Sequence, residues 1–209
     1  MNSTTNTIAQ LVVILVLNGF LQHSAADGDS TDAVLQELLP VSFTDINGEE
    51  HAPFEDDATI ATAFVFVSTD CPVANAFQPT LTQILEDYSG EGIRFFMVHS
   101  SARVRKQEVV DHASDYRIRI PVVLDANQKI ARMLQAKVTP EVIVVDRAGQ
   151  VRYRGLINNL YAGYGKKRRA PTEHYLTDAL DALIAGEPIV HAVTKPIGCF
   201  IHYQNTARQ

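Results

Sequence analysis

The feature that most constrains the fold of this chain is the stretch at residues 64–79, FVFVSTDCPVANAFQP. Its first four residues are aromatic or β-branched and too few for a helix, so they predict a buried strand. Beyond Ala74 the apolar side chains recur at helical spacing, at Phe77, Leu81, Ile84, Leu85 and Tyr88. Cys71 is therefore expected where a buried strand passes into a helix, and Pro72 suits the first helical turn.

That position favours a reactive thiol at Cys71. The first turn of a helix has unpaired N–H groups and a partial positive charge, and both lower the pKa of a thiol placed there. The polar neighbours Thr69 and Asp70 indicate a loop mouth, which is more typical of a reactive cysteine than of an inert one. A carboxylate at Asp70 would act in the opposite direction on the thiol pKa. Two roles for Asp70 are open, proton transfer to a leaving thiol or capping of the helix.

The first 26 residues predict export. They contain no Asp, Glu, Lys or Arg, and Ser24-Ala25-Ala26 supplies small residues for cleavage after Ala26. The segment resembles a secretory signal peptide, although it lacks the usual basic residue at its start. Its unbroken apolar core, residues 11–17, is far shorter than the roughly 20 residues of a spanning helix. We therefore expect no stable membrane span after cleavage and a location outside the cytoplasm, most simply the periplasm.

The remaining chain suits one domain followed by a tail. We expect a linker at residues 27–40, a domain at 41–186 and a C-terminal tail at 187–209. The formal net charge of −6 and the lack of any nucleic-acid-binding motif exclude a dedicated nucleic-acid binder. Two cysteines in an exported chain allow one pairing, Cys71 with Cys199.

The order of the predicted elements indicates an α/β fold around one mixed sheet. An Asn47-Gly48 hairpin signal precedes the first buried strand. Further strands are predicted near residues 93–98, 121–125, 142–145 and 150–154, and helices near 102–116, 130–134 and 172–185, the last capped by Thr172 and closed by Gly186. Cys71 and His99 both follow strands, so they are expected at the same end of the sheet.

With these elements placed, residues 41–186 resemble the thioredoxin-like superfamily, and within it the redoxin branch that includes peroxiredoxins. Cys71 matches the first active-site cysteine, Pro79 the proline within the active-site helix, and Thr139-Pro140 the cis-proline loop that faces the cysteine. The resemblance implies an α/β three-layer sandwich with a central mixed sheet, an N-terminal β-hairpin and a C-terminal tail. It also implies a set of substrate-binding residues beside the catalytic cysteine: Thr69, Asp70, Pro72, Thr139 and Pro140.

Several positions depart from the patterns of the related families. The second thioredoxin cysteine is replaced by Ala74, and the aromatic residue before the first cysteine is replaced by Asp70. Ser68 fits the peroxiredoxin pattern, whereas Phe64 stands in place of its proline and Pro140 in place of its peroxide-activating arginine. Thr69-Asp70-Cys71-Pro72 also resembles the copper-delivering SCO proteins, whose second cysteine would fall on Asn75.

We interpret the chain as an exported thiol oxidoreductase with Cys71 as nucleophile and Cys199 as resolving cysteine. The substrate is a peroxide or a protein thiol or disulfide, an electron donor is required, and no organic cofactor is implied. Gly198-Cys199 lies after the last helix, in a segment able to move, and the same ending occurs in bacterial redoxin-domain proteins. Two alternatives are open: a static Cys71–Cys199 staple, and a non-catalytic copper-handling or partner-binding module.

Three weaker signals accompany this interpretation. His99 is either a base for Cys71 or a plain solvated or hydrogen-bonded residue. Cys71, His99 and Cys199 together would suit a soft metal, but their spacing gives no compact ligand motif. Residues 166–169, KKRR, form either an anion-docking loop or a solvated loop.

Overall fold

The structure is a computed structural model that describes residues 41–88 and 90–205. The signal-peptide and linker predictions lie outside these residues. In chain order the described elements are β1 (Phe43–Thr44), β2 (Glu50–His51), β3 (Ala61–Val67), α1 (Pro72–Asp87), β4 (Ile93–His99), α2 (Lys106–Asp115), β5 (Val122–Leu124), α3 (Lys129–Met133), β6 (Val138–Thr139), β7 (Glu141–Asp146), β8 (Val151–Gly155), β9 (Tyr161–Gly163), β10 (Lys166–Lys167), α4 (Tyr175–Ala185) and β11 (Cys199–Phe200).

A mixed five-stranded sheet forms the centre of the molecule, in the order β5-β4-β3-β7-β8. Strands β3, β4 and β5 are parallel, and β7 runs antiparallel to both β3 and β8. All seven residues of β3 are buried because the strand lies in the middle of the sheet with a layer on each face. The carboxyl end of β3, which leads to Cys71, therefore lies in the middle of one end of the sheet.

Helices and a hairpin cover the two faces of this sheet. Side chains of α1, α2 and α4 pack on one face, around Phe77, Val109 and Leu180. On the other face, α3 contributes Ile130 and the hairpin strand β1 contributes Phe43. The predicted α/β three-layer sandwich with a central mixed sheet and an N-terminal hairpin is confirmed.

The N-terminal hairpin has the turn that the sequence predicts. Strands β1 and β2 pair antiparallel, and Gly48 in the turn has a φ of 90°, which an L-residue rarely adopts. Asp45 stabilises the turn, since its Oδ1 accepts hydrogen bonds from the N–H groups of Asn47 and Glu49. Asn47-Gly48 therefore marks the hairpin as expected.

The helix after β3 begins with the two residues that the sequence indicates. Cys71 is the N-cap of α1, Pro72 is the first helical residue and Pro79 lies inside the helix. Asp70 does not cap this helix, so that alternative is wrong. The Sγ atom of Cys71 itself takes the place of a capping oxygen by accepting from the N–H of Ala74.

Two helix starts differ from the sequence prediction. Helix α2 begins at Lys106 rather than near residue 102, because the Glu108 carboxylate accepts from the N–H of Arg105 and fixes the start there. Thr172 does not cap α4, because its side chain bonds Asn159 instead and the N-cap position falls on His174. The end of α4 at Gly186, with a φ of 68°, matches the prediction.

Among residues 41–88 and 90–205, no helix combines the length and the hydrophobicity that crossing a lipid bilayer requires.

Candidate active site around Cys71 and the C-terminal strap

Cys71 lies at the end of β3 with its sulfur enclosed by protein. The sulfur accepts from the N–H of Ala74 at 3.5 Å and donates to the carbonyl of Thr139 at 2.9 Å. Its exposed fraction is 0%, so the thiol is covered, although Thr69 and Asp70 lie in a loop beside a cleft as expected. The cause is non-local: the loop before β7 and the C-terminal tail close over the thiol.

The loop of Thr139 and Pro140 contacts Cys71 through the carbonyl of Thr139, as the resemblance implies. The Thr139-Pro140 bond is cis, and Thr139 ends the short strand β6. The buried carboxylate of Glu141 holds this strand in place by accepting from the N–H groups of Lys137 and Val138, at 2.6 and 3.2 Å. The carbonyl of Thr139, at the end of β6, is thereby held against the active-site sulfur.

The tail beyond α4 is docked along β6. We name residues 187–205 the strap. Within it, β11 pairs antiparallel with β6, so that Cys199 lies opposite Thr139 and Phe200 opposite Val138. The N–H of Ile201 extends the pairing by donating to the carbonyl of Lys137 at 2.9 Å. The strap therefore brings Cys199 to Cys71 without a covalent bond, since both cysteines are free.

The root of the strap is bonded to the end of β8. Thr194 donates its N–H to the carbonyl of Arg154 at 2.8 Å, and its Oγ1 accepts from the N–H of Leu156 at 2.8 Å. The same Oγ1 lies 3.0 Å from the hydroxyl of Tyr153. These bonds fix where the strap begins to cross the sheet.

The far end of the strap is held against α3. The side chain of Gln128 donates to the carbonyl of His202 and accepts from the N–H of Gln204, both at 2.8 Å. Tyr203 donates to the carbonyl of Ala131 at 2.9 Å, and its ring lies 4.9 Å from the guanidinium of Arg132. The strap is thus fixed at both ends, with Cys199 between them.

The two thiols have opposite pKa shifts. Burial raises the pKa of Cys71, but hydrogen bonds from the Ala74 N–H, the Cys199 thiol, the Thr139 side chain and the Cys199 N–H outweigh it, and the net pKa is below the ordinary value of 9.0. The pKa of Cys199 is raised to about 11 by burial and by its contact with the Cys71 sulfur. Cys71 is therefore the more acidic thiol of the pair and Cys199 the less acidic one.

The other predicted substrate-binding residues flank Cys71 in the chain, at the end of the loop after β3 and at the start of α1. Thr69 and Asp70 line a cleft of about 490 Å³ between α1 and α2. Pro72 is exposed at the start of α1. Thr69 and Asp70 thus line the cleft, whereas Thr139 lies opposite Cys199 of the strap.

His99 is not a base for Cys71. It is 1% exposed, and its pKa falls to about 3 because burial and the neighbouring ring of His112 disfavour the charged form. The rings of His99 and His112 pack edge to face with centroids 5.2 Å apart, and the Nε2 of His99 has no hydrogen-bond partner. His99 is therefore neutral and buried beside the cleft, not solvated.

One link between the helices was missed by sequence reasoning. The side-chain amide of Asn75 donates to the carbonyl of Thr69, and its Oδ1 is 2.9 Å from the Nε2 of His112. Asn75 therefore connects the loop before Cys71 to α2. The available signal was the position of Asn75 one helical turn after Cys71, where SCO proteins have a cysteine. Here that position has a structural partner.

The suggested soft-metal site is not assembled. In the described part of the chain, Cys71, His99 and Cys199 do not form a close group of ligand atoms, and the group that does form is Asp45, Glu49 and His51 in the hairpin. The KKRR segment begins with the exposed strand β10, which pairs with β9. Neither feature adds to the site around Cys71.

Comparisons with known proteins agree with this architecture. The Redoxin family model matches residues 57–161, which is half of the chain. A hypothetical protein from Sinorhizobium meliloti 1021 is 25% identical, with a TM-score of 0.68 over 79% of this chain and 92% of that chain. An uncharacterized conserved protein from Geobacillus kaustophilus is 23% identical, with a TM-score of 0.70 over 80% and 90%.

A more distant match supports the fold. A secreted Mycobacterium tuberculosis disulfide oxidoreductase, homologous to E. coli DsbE, is 17% identical, with a TM-score of 0.50 over 74% of this chain and 98% of that chain. No curated protein matches the chain. The described residues therefore have a thioredoxin-like fold, as the sequence resemblance implies.

Proposed function

The chain belongs to the Redoxin family, and from this premise we propose that it is an exported thiol oxidoreductase in which Cys71 is the nucleophile and Cys199 the resolving cysteine. The observation that carries the proposal is the pairing of Cys199 with Thr139, which presents a second thiol to a buried, hydrogen-bonded Cys71. The opposite pKa shifts of the two thiols support the same division of roles.

The proposed reaction with a protein disulfide proceeds in two exchanges. The Cys71 thiolate attacks one sulfur of the substrate disulfide, a mixed disulfide forms, and the other substrate sulfur leaves as a thiolate that takes up a proton. Cys199 then loses its proton and attacks the Cys71 sulfur, which releases the first substrate sulfur and leaves a Cys71–Cys199 disulfide. The substrate gains two electrons and the protein loses two, so an external electron donor must then reduce the protein.

A peroxide can replace the protein disulfide as the first oxidant. The Cys71 thiolate would then take one peroxide oxygen to give a sulfenic acid, and the remaining part leaves as water or an alcohol after protonation. Attack by Cys199 forms the same disulfide and releases water. Among residues 41–88 and 90–205, no guanidinium hydrogen-bonds the Cys71 sulfur, so the group that activates peroxide in peroxiredoxins has no counterpart there. We therefore place protein disulfides first.

Thr69, Asp70, Pro72, Thr139 and Pro140 are proposed to contact the substrate. Thr139 and Pro140 belong to the loop that contacts Cys71, and Thr69 and Asp70 line the cleft. A substrate segment bound along β6 would contact Thr139 and Pro140. The chain that flanks this segment would contact Thr69 and Asp70.

Export is the remaining part of the proposal. It rests on the uncharged, apolar segment at residues 1–26 and the small residues before Asp27. We expect N-terminal sequencing of the secreted protein to begin at Asp27. A protein that retains Met1 in the cytoplasmic fraction would contradict this step.

The titration of the two thiols tests the division of roles directly. We expect iodoacetamide to label Cys71 with a pH midpoint below 9.0, and Cys199 only near pH 11, as measured by mass spectrometry of tryptic peptides. In Cys199→Ala the midpoint of Cys71 should rise, because the Cys199 thiol no longer donates to the thiolate.

The pH midpoint of labelling reports the pKa of each thiol. The labelling rate at high pH does not, because enclosure of the sulfur slows labelling at every pH. Ser68→Ala, a change near the site that leaves both thiols intact, serves as the control. A Cys71 midpoint above that of Cys199 would contradict the proposed roles.

A further inference from the structure

The cleft between α1 and α2 carries negative charge that no basic side chain of the described residues neutralises in full. Its lining includes four carboxylates, at Asp70, Glu108, Asp111 and Asp115, and no lysine or arginine of the described chain. Glu108 pairs with Arg105 at 2.6 Å. In residues 41–88 and 90–205, the other three carboxylates form no ion pair. The cleft is therefore suited to a cation.

His112 adds a buried acceptor to the same cleft. Its exposed fraction is 6%, and burial outweighs the charge of Asp115 to hold its pKa below the ordinary value, so the ring is neutral at pH 7. The amide of Asn75 donates to a backbone carbonyl, which leaves its Oδ1 to accept from the Nε2 of His112. Nδ1 is then the nitrogen without a hydrogen, and among the described residues it has no hydrogen-bond partner. A donor bound in the cleft would satisfy it.

An aromatic ring completes the lining. Tyr116 is 36% exposed and packs against the ring of His112 with centroids 4.8 Å apart. The face of a tyrosine ring attracts cations, and a planar guanidinium group also stacks on it. Carboxylates, an unpartnered acceptor and an aromatic face are together the groups that recognise an arginine side chain.

A metal ion fits the cleft less well than an organic cation. In the described part of the chain, the carboxylates of the cleft and His112 do not bring three ligand atoms within 4.8 Å of one another. A guanidinium group has five N–H donors spread over a plane, so it can reach acceptors that are too far apart to close around one ion.

We propose that the cleft between α1 and α2 binds the guanidinium group of an arginine in the partner protein whose disulfide Cys71 attacks. The three carboxylates without an ion pair supply the charge, Nδ1 of His112 an acceptor, and Tyr116 a stacking surface. Because Asp70 directly precedes Cys71, a bound arginine holds its own chain beside the active-site loop. The identity of the partner rests on the proposed function, whereas binding of the guanidinium group requires neither thiol.

Capped arginine, acetylated at its amino end and amidated at its carboxyl end, tests the site without redox chemistry. Titration of the reduced chain at low ionic strength, followed by ¹⁵N NMR of the His112 ring, should show saturable binding and a shift of the Nδ1 resonance. Capped citrulline, which has nearly the same shape without the charge, should bind about tenfold more weakly. Equal binding of the two probes, or an unmoved Nδ1 resonance at saturation, would overturn the proposal. Capped lysine should bind more weakly than arginine, and equal or tighter binding of lysine would overturn the assignment to a guanidinium group.

A pair of double variants tests whether the carboxylates of the cleft are responsible. Asp111→Asn with Asp115→Asn should weaken the binding of capped arginine about tenfold. Glu91→Gln with Glu173→Gln is the matched control, because it removes two exposed carboxylates that do not line the cleft. Its affinity should equal that of the unchanged protein. Equal weakening in both double variants would show an effect of net charge alone and would contradict a site in the cleft.

Peptide disulfides separate this inference from the proposed function. Two dimeric peptides are compared, one with arginine on both sides of its cysteine and one with citrulline at the same positions. The arginine peptide should form the mixed disulfide with Cys71 about tenfold faster, and Asp111→Asn with Asp115→Asn should remove most of this advantage. Equal rates for the two peptides overturn the inference and leave the proposed thiol chemistry intact. If neither peptide reacts, the proposed function fails, and the binding of capped arginine alone decides whether the site exists.

Discussion

Cys71→Ser should lower the rate of disulfide exchange by a factor on the order of 10³ or more, because it removes the thiol that we propose as the nucleophile. With glutathione disulfide as the probe, the unchanged protein should form a mixed disulfide at Cys71 and then the Cys71–Cys199 disulfide. Cys199→Ser should instead stop at the mixed disulfide, since no second thiol resolves it. Mass spectrometry of quenched time points distinguishes the three species, and glutathione release gives the rate.

The comparison of the two serine variants is the informative part. Both substitutions replace sulfur with oxygen at nearly the same volume, so both variants should retain the fold, which circular dichroism checks. If Cys71→Ser exchanged glutathione disulfide at the rate of the unchanged protein, Cys71 would not be the nucleophile. If Cys199→Ser formed no lasting mixed disulfide, Cys199 would not be the resolving residue, and a static staple would be the better description.

Local signals in the sequence were sufficient for the elements that position Cys71. The four apolar residues before Ser68 indicate a strand that is buried on both faces of the sheet. Pro72 indicates the start of α1. The Asn47-Gly48 turn was predicted for a similar reason, since it is formed by residues that are neighbours in the sequence, with Asp45 as its hydrogen-bond partner. The structure of a segment can be predicted from its own sequence where contacts within the segment determine that structure.

The features that define the site are non-local and could not be read in this way. The strap has no helical or alternating pattern, and its pairing joins residues 199–200 to 138–139, 60 or more positions away. The enclosure of Cys71 follows from that pairing, so the sequence suggested an exposed thiol where the structure has a covered one. Thr172 illustrates the same limit, because a competing bond to Asn159 decides its role.

The second large expected effect is a loss of stability on substitution of Gly155, which lies beside Thr194 of the strap. Gly155 has a φ of 139°, and a Cβ at this residue would lie 2.1 Å from the Oγ1 of Thr194 and 2.4 Å from its carbonyl oxygen. Gly155→Ala therefore combines backbone strain of about 1–3 kcal/mol with a steric collision of about 1–3 kcal/mol. We expect the free energy of unfolding to fall by about 2–6 kcal/mol, measured by urea denaturation of the reduced protein.

Gly48→Ala separates the two contributions. Gly48 has a φ of 90°, but nothing lies within 4 Å of an added Cβ, so this variant should show the strain alone. The difference between the two variants in lost free energy of unfolding then measures how firmly Thr194 of the strap is held against β8. Because the root fixes where the strap crosses the sheet, Gly155→Ala should also speed the labelling of Cys71, which Gly48→Ala should leave unchanged. Equal stability losses in the two variants would show that the strap moves aside freely, and the bonds of Thr194 would then not be what anchors Cys199 beside Cys71.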